Sequence, residues 1–168
     1  FPYIVLMSRA AKLVGDPVRW IEDRHEHLNS ANSCPNRVTT LEAAVDSDGK
    51  ITALRYDQME DFGAFLRAPM PGPLYRMQGA ITGAYDIKNV SIRNKIVVSN
   101  KMPAGLVRGF GGPQLYFALE RMTNHIATEL GFDHLDIIRK NLIPSNLFPY
   151  KAAAGSLLDS GDYQEAIQ

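Results

Sequence analysis

The stretch Leu106-Val107-Arg108-Gly109-Phe110-Gly111-Gly112-Pro113-Gln114 carries the residue types best suited to hold a ligand. Gly109, Gly111 and Gly112 straddle one aromatic ring, directly before a long helical pattern. Glycine permits positive φ and lets the backbone come close to a bound group. Gly112-Pro113 reads as a helix start, with proline at the first helical position. The first N–H groups of a helix have no partners inside it and can face an anion. Phe110 can stack on a flat ligand. The stretch therefore fits an anionic, planar ligand. It equally fits a tight loop that only admits a helix to the core, and the residues alone leave the two open.

Other chemistry-bearing residues are sparse. His25 and His27 in Asp23-Arg24-His25-Glu26-His27 invite a metal reading. Positions i and i+2 do not share a helix face, and no cysteine or third histidine lies near in sequence, so a solvated turn is the expectation. Cys34, in an Asn-, Ser- and Pro-rich loop over 29–36, reads as a free thiol with no base beside it in sequence.

The totals bound the function class. At 168 residues the chain has the size of one domain, able to bury roughly two-thirds of its unfolded surface. Its 45% hydrophobic content is that of an ordinary globular chain. The 18 basic and 18 acidic residues balance, which gives no footprint for nucleic acid or an anionic membrane. One cysteine excludes an internal disulfide and any multi-cysteine zinc site, and it suits a reducing, cytoplasmic setting. No apolar run is long enough to span a bilayer, no basic n-region lies ahead of the first apolar run, and no clear signal-peptidase site is seen. Phe1-Pro2-Tyr3 leads straight into an apolar helical pattern, as expected of a piece of a longer domain.

Stepping along the chain, the periodicity predicts a helix over 2–14, ended by Gly15 and Pro17. Val18 to Glu22 reads as a short buried strand. Arg37 to Val45 and Ile51 to Met59 form a hairpin around Asp46-Ser47-Asp48-Gly49, whose Asp-Gly pair is a strong turn signal. The second strand is expected to reach toward Phe65, with Gly63 marking a bulge or a close backbone approach. Three prolines make 67–73 irregular. A helix follows over 74–80, then a third strand over 90–99 with Val90, Ile92, Ile96 and Val98 on one side. Leu115, Leu119, Met122, Ile126 and Leu130 predict the longest helix, closed by Gly131. Asp133 caps a shorter helix through Asn141 with Leu135 and Ile138 inward. From Ser145 the chain reads as loop, with Asp162 capping a last short helix.

The order of these segments resembles a known family. Arg108-Gly-Phe-Gly-Gly-Pro-Gln114 is similar to a loop of the molybdenum hydroxylases, the group of xanthine dehydrogenase, aldehyde oxidoreductases and the large subunit of aerobic carbon monoxide dehydrogenase. Pro17-Val-Arg-Trp-Ile-Glu-Asp-Arg24, Gly49-Lys-Ile-Thr-Ala-Leu54, Gly83-Ala-Tyr-Asp-Ile87 and Arg139-Lys-Asn-Leu-Ile143 resemble further family segments. Phe148-Pro-Tyr150 and Asp159-Ser-Gly-Asp-Tyr163 resemble the carbon monoxide dehydrogenase and aldehyde branch. Shared order and spacing over nearly the whole chain carry the likeness.

The resemblance implies an α+β fold, with the antiparallel hairpin and third long strand packed against helices. Residues 1–168 would be a single partial domain of the molybdopterin-binding region of a much longer large subunit. Backbone at Arg108 would approach an oxygen on the cofactor, with Gly109, Gly111 and Gly112 permitting the approach. Phe110 and Val107 would wall the substrate pocket. The family's Gly-Gly-x-Phe-Gly loop and its catalytic glutamate are not in this chain, so no residue here is assigned a catalytic or metal-ligating role. Glu22, Glu60 and Glu120 read as structural or surface carboxylates. The implied activity is hydroxylation of an aldehyde or N-heterocycle with oxygen from water, and the chain alone would be inactive. The implied cofactor is molybdopterin in its cytosine dinucleotide form, held with the remainder of the large subunit, with iron–sulfur clusters and FAD on partner subunits.

Two departures narrow the substrate. The carbon monoxide branch carries a copper-binding cysteine in this loop, and here there is none. The xanthine enzymes place a substrate-orienting arginine before the hairpin, where spacing puts Cys34, with Arg37 the nearest arginine. A different class of reading is a non-catalytic scaffold or assembly subunit that completes a partner's cofactor site. A free-standing nucleotide binder fits less well. It needs Gly-x-Gly-x-x-Gly after a strand and an acid about 20 residues on, whereas the spacing here is Gly-x-Gly-Gly-Pro.

Overall fold

A computed structural model describes residues 2–168. The chain forms two compact units, Phe1–Ala31 and Asn32–Gln168. In the first, helix α1 (Pro2–Val14) stops at Gly15, which takes a φ of +80°. The Tyr3 ring stacks on Trp20 at 6.0 Å, and its hydroxyl donates to Ser30 Oγ at 3.2 Å. The strand expected over 18–22 does not form: Trp20 and Ile21 are exposed, and the segment has no ladder partner. A short apolar run is not by itself evidence of a strand, because a strand also needs a neighbour for its N–H and C=O groups. The expected turn at 23–27 is instead the start of helix α2 (Arg24–Ser30), closed by a reciprocal capping box between Asp23 and Glu26.

The second unit is built on a three-stranded sheet in the order β1-β2-β3. Strands β1 (Asn36–Val45) and β2 (Ile51–Asp61) are the expected antiparallel hairpin, with Leu41 opposite Tyr56 and Arg37 opposite Glu60. Its turn is fixed by Asp46, whose Oδ1 accepts from the N–H groups of Asp48 at 3.0 Å and Lys50 at 2.8 Å. Strand β3 (Asn89–Val97) pairs parallel to β2, Tyr56 beside Ile92. A parallel neighbour needs a long crossover. Residues 62–88 supply it, and they carry helix α3 (Gly72–Arg76) and a single helical turn at Gln78–Ala80 where one helix over 74–80 was expected.

One face of the sheet is covered by helix α4 (Gly112–Leu130) and helix α5 (His134–Asn141). Leu54 and Tyr56 of β2, Ile81, Tyr85 and Ile87 of the crossover, and Leu115, Leu119 and Ile126 of α4 form the main core. Two phase expectations shift. In α5 Ile137 and Asn141 are buried while Leu135 is 46% exposed, because the Asp133 cap sets the helix rotation. On β3 the strand ends before Val98, which is exposed, and Asn94 shares the inner face with Val90, Ile92 and Ile96. The tail holds a small hairpin, β4 (Tyr150–Lys151) with β5 (Leu157–Leu158), too short for a sequence period to show. Asp162 accepts from Gln164 and Glu165 N–H at 3.1 Å each, ahead of a single helical turn at Glu165–Ile167 where a capped helix was expected. Among the described residues no helix is long and apolar enough to cross a membrane.

Asn141 ties α5 to the start of β2. Its Oδ1 accepts from Ile51 N–H at 2.8 Å, and its Nδ2 donates to the carbonyls of Gly49 and Ile137 at 2.9 Å each. The side chain is fully buried, so truncation leaves a buried donor and acceptor without partners. Asn141→Ala is expected to cost about 2–4 kcal/mol. A urea titration should show a lower midpoint at unchanged slope.

Candidate functional site

The loop between β3 and α4 is held at its base before it reaches the glycines. Strand β2 stops at Asp61, short of the expected Phe65, because the Asp61 side chain takes the N–H of Gly63 at 2.9 Å. Gly63 has a φ of +75°, and a Cβ there would lie 2.1 Å from the Met102 carbonyl oxygen. This is the close backbone approach that its position in the sequence suggests. Asp61 also accepts from Ser99 Oγ at 2.7 and 2.8 Å and pairs with Lys101 at 3.0 Å. Further along, Ala104 N–H donates to Phe62 at 2.9 Å and Gly105 N–H to Ser33 at 2.8 Å. The end of the central strand, the 32–35 loop and the approach to the glycine loop are thus one bonded assembly.

Two overlapping turns make the loop itself, Phe110 N–H to the Val107 carbonyl at 3.0 Å and Gly112 N–H to Gly109 at 2.9 Å. Gly109, Phe110 and Gly111 have φ of +97°, +45° and +90°. Phe110 is the one non-glycine among the described residues with positive φ, a conformation that costs a bulky side chain roughly 1–2 kcal/mol. A Cβ on Gly111 would sit 2.1 Å from the Pro73 carbonyl oxygen, and one on Gly72 would sit 2.8 Å from the Phe110 ring. Both glycines are there for space. Gly112 begins α4 and packs toward Tyr116, with Pro113 in the first turn.

The anion reading of the helix start changes in detail. Gly112 N–H is spent on the turn, Pro113 has none, and Leu115 N–H reaches Gly111 at 3.4 Å. Few α4 donors remain. The N–H groups of Arg108, Gly109 and Gly111 have no protein partner among the described residues, so the donors that can meet an oxygen lie in the loop before the helix.

A cavity of about 120 Å³ opens here, walled by Val107, Arg108, Phe110 and Gly111 from the loop, Pro73 from the crossover and Cys34 from before β1. The residues expected from sequence therefore converge, although Gly109 and Gly112 act through backbone shape and do not line the cavity. Two further residues stand here, one at a position that family spacing pointed to and one that spacing missed. Cys34, in another loop by sequence, lies at this cavity and accepts from Gln114 Nε2 at 3.0 Å. Arg76 holds its guanidinium carbon 5.3 Å from the Phe110 ring centroid, so the arginine that accompanies this ring comes from α3. Arg37, the nearest arginine by spacing, is instead ion-paired with Glu60 and its side chain is 2% exposed.

The remaining candidates have structural partners. His27 Nδ1 lies 2.9 Å from Glu22, whose carboxyl is held below its ordinary range by His27 and then Ser30. Glu120 accepts from the Tyr85 hydroxyl at 2.7 Å. Glu60 is fully buried on Arg37, and burial pushes its carboxyl up against the pull of that guanidinium.

A family model described as the molybdopterin cofactor-binding domain matches residues 1–142. The chain belongs to this family. It is 32% identical over 174 residues to the carbon monoxide dehydrogenase large chain of Hydrogenophaga pseudoflava, covering 100% of this chain and 21% of that one. It is 29% identical over 170 residues to the nicotine 6-hydroxylase large subunit of Paenarthrobacter nicotinovorans, covering 99% and 21%. It matches the crystal structure of quinoline 2-oxidoreductase from Pseudomonas putida 86 with a TM-score of 0.90 at 30% identity, covering 99% of this chain and 21% of that one. The molybdopterin cofactor-binding fold thus occupies a chain that spans 21% of the length of these relatives.

In this molybdopterin cofactor-binding chain the loop is tethered to a titratable group. The Gly63 N–H, then Ser99 and Lys101, hold the Asp61 carboxyl down at about 2, against 3.8 ordinarily. A lowered folded-state value means that the stabilisation is complete above 3.8 and is lost as pH falls toward 2. Asp61→Asn should therefore lower the unfolding midpoint at neutral pH, and the gap between variant and parent should close between pH 3.8 and 2. Thermal unfolding across that range measures it.

Proposed function

We propose that this chain supplies one wall of the substrate site and part of the cofactor cradle of a molybdopterin-dependent oxidoreductase. The enzyme would hydroxylate an aldehyde or a nitrogen heterocycle with oxygen from water. The observation that carries the reading is the loop: unpartnered N–H groups at Arg108, Gly109 and Gly111 stand beside the ring of Phe110, which Arg76 faces. These residues fit the cofactor's anionic oxygen-bearing end. A Cβ at Gly111 would strike the Pro73 carbonyl, so glycine is what lets the loop take its shape.

In this reading the backbone of Arg108, Gly109 and Gly111 orients an oxygen of the cofactor by hydrogen bonding, and Gly112 sets the start of α4 behind it. Phe110 and Val107 form the face against which a planar substrate lies, and Arg76 stands over the Phe110 ring. When bound, the cofactor supplies the oxygen nucleophile and takes up the electron pair released by the substrate carbon. The general base would come from the remainder of the large subunit. The cytosine dinucleotide form of the cofactor, and iron–sulfur and FAD subunits as electron acceptors, complete the proposal.

The decisive comparison uses the assembled large subunit with its electron-transfer partners. Phe110→Ala should lower kcat/KM for an aromatic aldehyde or heterocycle about tenfold to a hundredfold, from lost stacking and apolar contact. Phe110→Tyr should stay near the parent, and acetaldehyde should change far less. Equal losses for flat and aliphatic substrates would remove Phe110 from the pocket. Assayed by itself, the 168-residue chain should give no turnover with aldehydes and an artificial acceptor, and elemental analysis should find less than one molybdenum per chain.

A further inference from the structure

The segments that close around Phe110 carry charge of one sign. The chain balances 18 basic against 18 acidic residues, yet 62–85 and 98–119 hold Arg67, Arg76, Lys101 and Arg108 and not one Asp or Glu. The cavity beside the ring is likewise lined by no acid. Two of these cations are engaged: Lys101 pairs with Asp61 at 3.0 Å, and Arg67 donates to Asn32 Oδ1. Arg76 and Arg108 have no ion-pair partner among the described residues. A patch of one sign raises the local concentration of ligands of the other.

Arg76 is the informative one of the two, because the backbone of Arg108 already belongs to the proposed cofactor cradle. Gly72 and Arg76 lie four residues apart on α3 and so share a helix face. Gly72 leaves room for the Phe110 ring, since a Cβ there would lie 2.8 Å from the ring's Cζ. One turn on, the Arg76 guanidinium carbon stands over the same ring, 5.3 Å from its centroid. Contact with the π face does not consume the N–H donors, which lie in the guanidinium plane. The Arg76 side chain is exposed, so it keeps a planar fork open to a ligand beside the aromatic wall, and that fork matches a carboxylate.

We propose that Arg76 is a specificity-determining residue, selecting flat substrates that carry a carboxylate over their neutral counterparts. The ring of such a substrate lies on Phe110 and Val107 while its carboxylate meets the Arg76 fork. An aliphatic acid lacks the ring contact, and a neutral arene leaves the fork in water. The proposal rests on the reading of Phe110 as the substrate wall. Because the carboxylate takes no part in the reaction, the contact is made in ground state and transition state alike, and it acts on KM and not on kcat.

The test compares para-formylbenzoate with para-formylbenzamide, alike in shape and in reacting group, on the assembled large subunit with its electron-transfer partners. The carboxylate should show a KM about tenfold lower at similar kcat, and added salt should narrow the gap. Arg76→Gln should raise the KM for para-formylbenzoate about tenfold, leave that for para-formylbenzamide within about twofold, and keep the parent's molybdenum content. Equal KM values in the parent, or equal increases for both substrates in Arg76→Gln, overturn the proposal and leave the redox reading standing. Loss of molybdenum from Arg76→Gln would assign the guanidinium to the cofactor and overturn it as well. Turnover of neither aldehyde overturns it together with the reading on which it rests.

Discussion

The close approach of Gly111 to the Pro73 carbonyl is the constraint on which the site depends. No side chain fits there, since a Cβ would lie 2.1 Å from that oxygen. The contact joins the crossover to the start of α4. Once it is made, Gly111 takes positive φ, Phe110 is driven into the same region, and its ring settles over Gly72. The loop is therefore shaped by packing of backbone on backbone, which no hydrogen-bonding side chain in the loop provides.

That arrangement carries strain at Phe110, and the surroundings offset it. The two turns within 107–112 satisfy the Phe110 and Gly112 N–H groups, and Arg76 adds a cation against the ring. The tether at Asp61, Ser99 and Lys101 holds the approach to the loop, and α4 behind it is anchored by Leu115 and Leu119 in the core. What stays without a protein partner among the described residues is the row of N–H groups at 108, 109 and 111. The loop is thus supported by its own turns, by the Asp61 tether and by α4, while these N–H groups are left unspent.

The sheet grades from apolar to polar along one face. Leu54 and Tyr56 lie under α4 and α5, while Gln58 and Glu60 meet Asn94 and Arg37 toward the loop end. A buried ion pair is weak evidence of stability, because desolvation opposes its attraction. Its place here, next to Asp61 where β2 hands over to the tethered loop, makes it an element of position: a register slip by one residue would turn Glu60 outward and leave Arg37 buried without its acceptor.

Local signals in the sequence determined much of the architecture. The Asp46–Gly49 turn, the period of α4, the caps at Asp133 and Gly131, and the glycine loop were all legible, because each rests on neighbours within a few residues. The failed strand at 18–22 and the inward turn of Ile137 in place of Leu135 mark the limit of such signals, since apolarity says that a residue can be buried but not what will cover it. The candidate loop and its surroundings were half legible. Arg108 to Gly112 could be read directly, and their role as a single loop follows from the chain itself. Cys34 was reached only through family spacing, since 80 residues separate it from Gln114, and Arg76 was not reached at all, because it meets Phe110 only through the crossover. The sequence by itself determined which backbone could bend into a cradle. Only the tertiary structure decided which side chains stand around it, because that is set by how a parallel strand, its crossover and one helix close on each other in space.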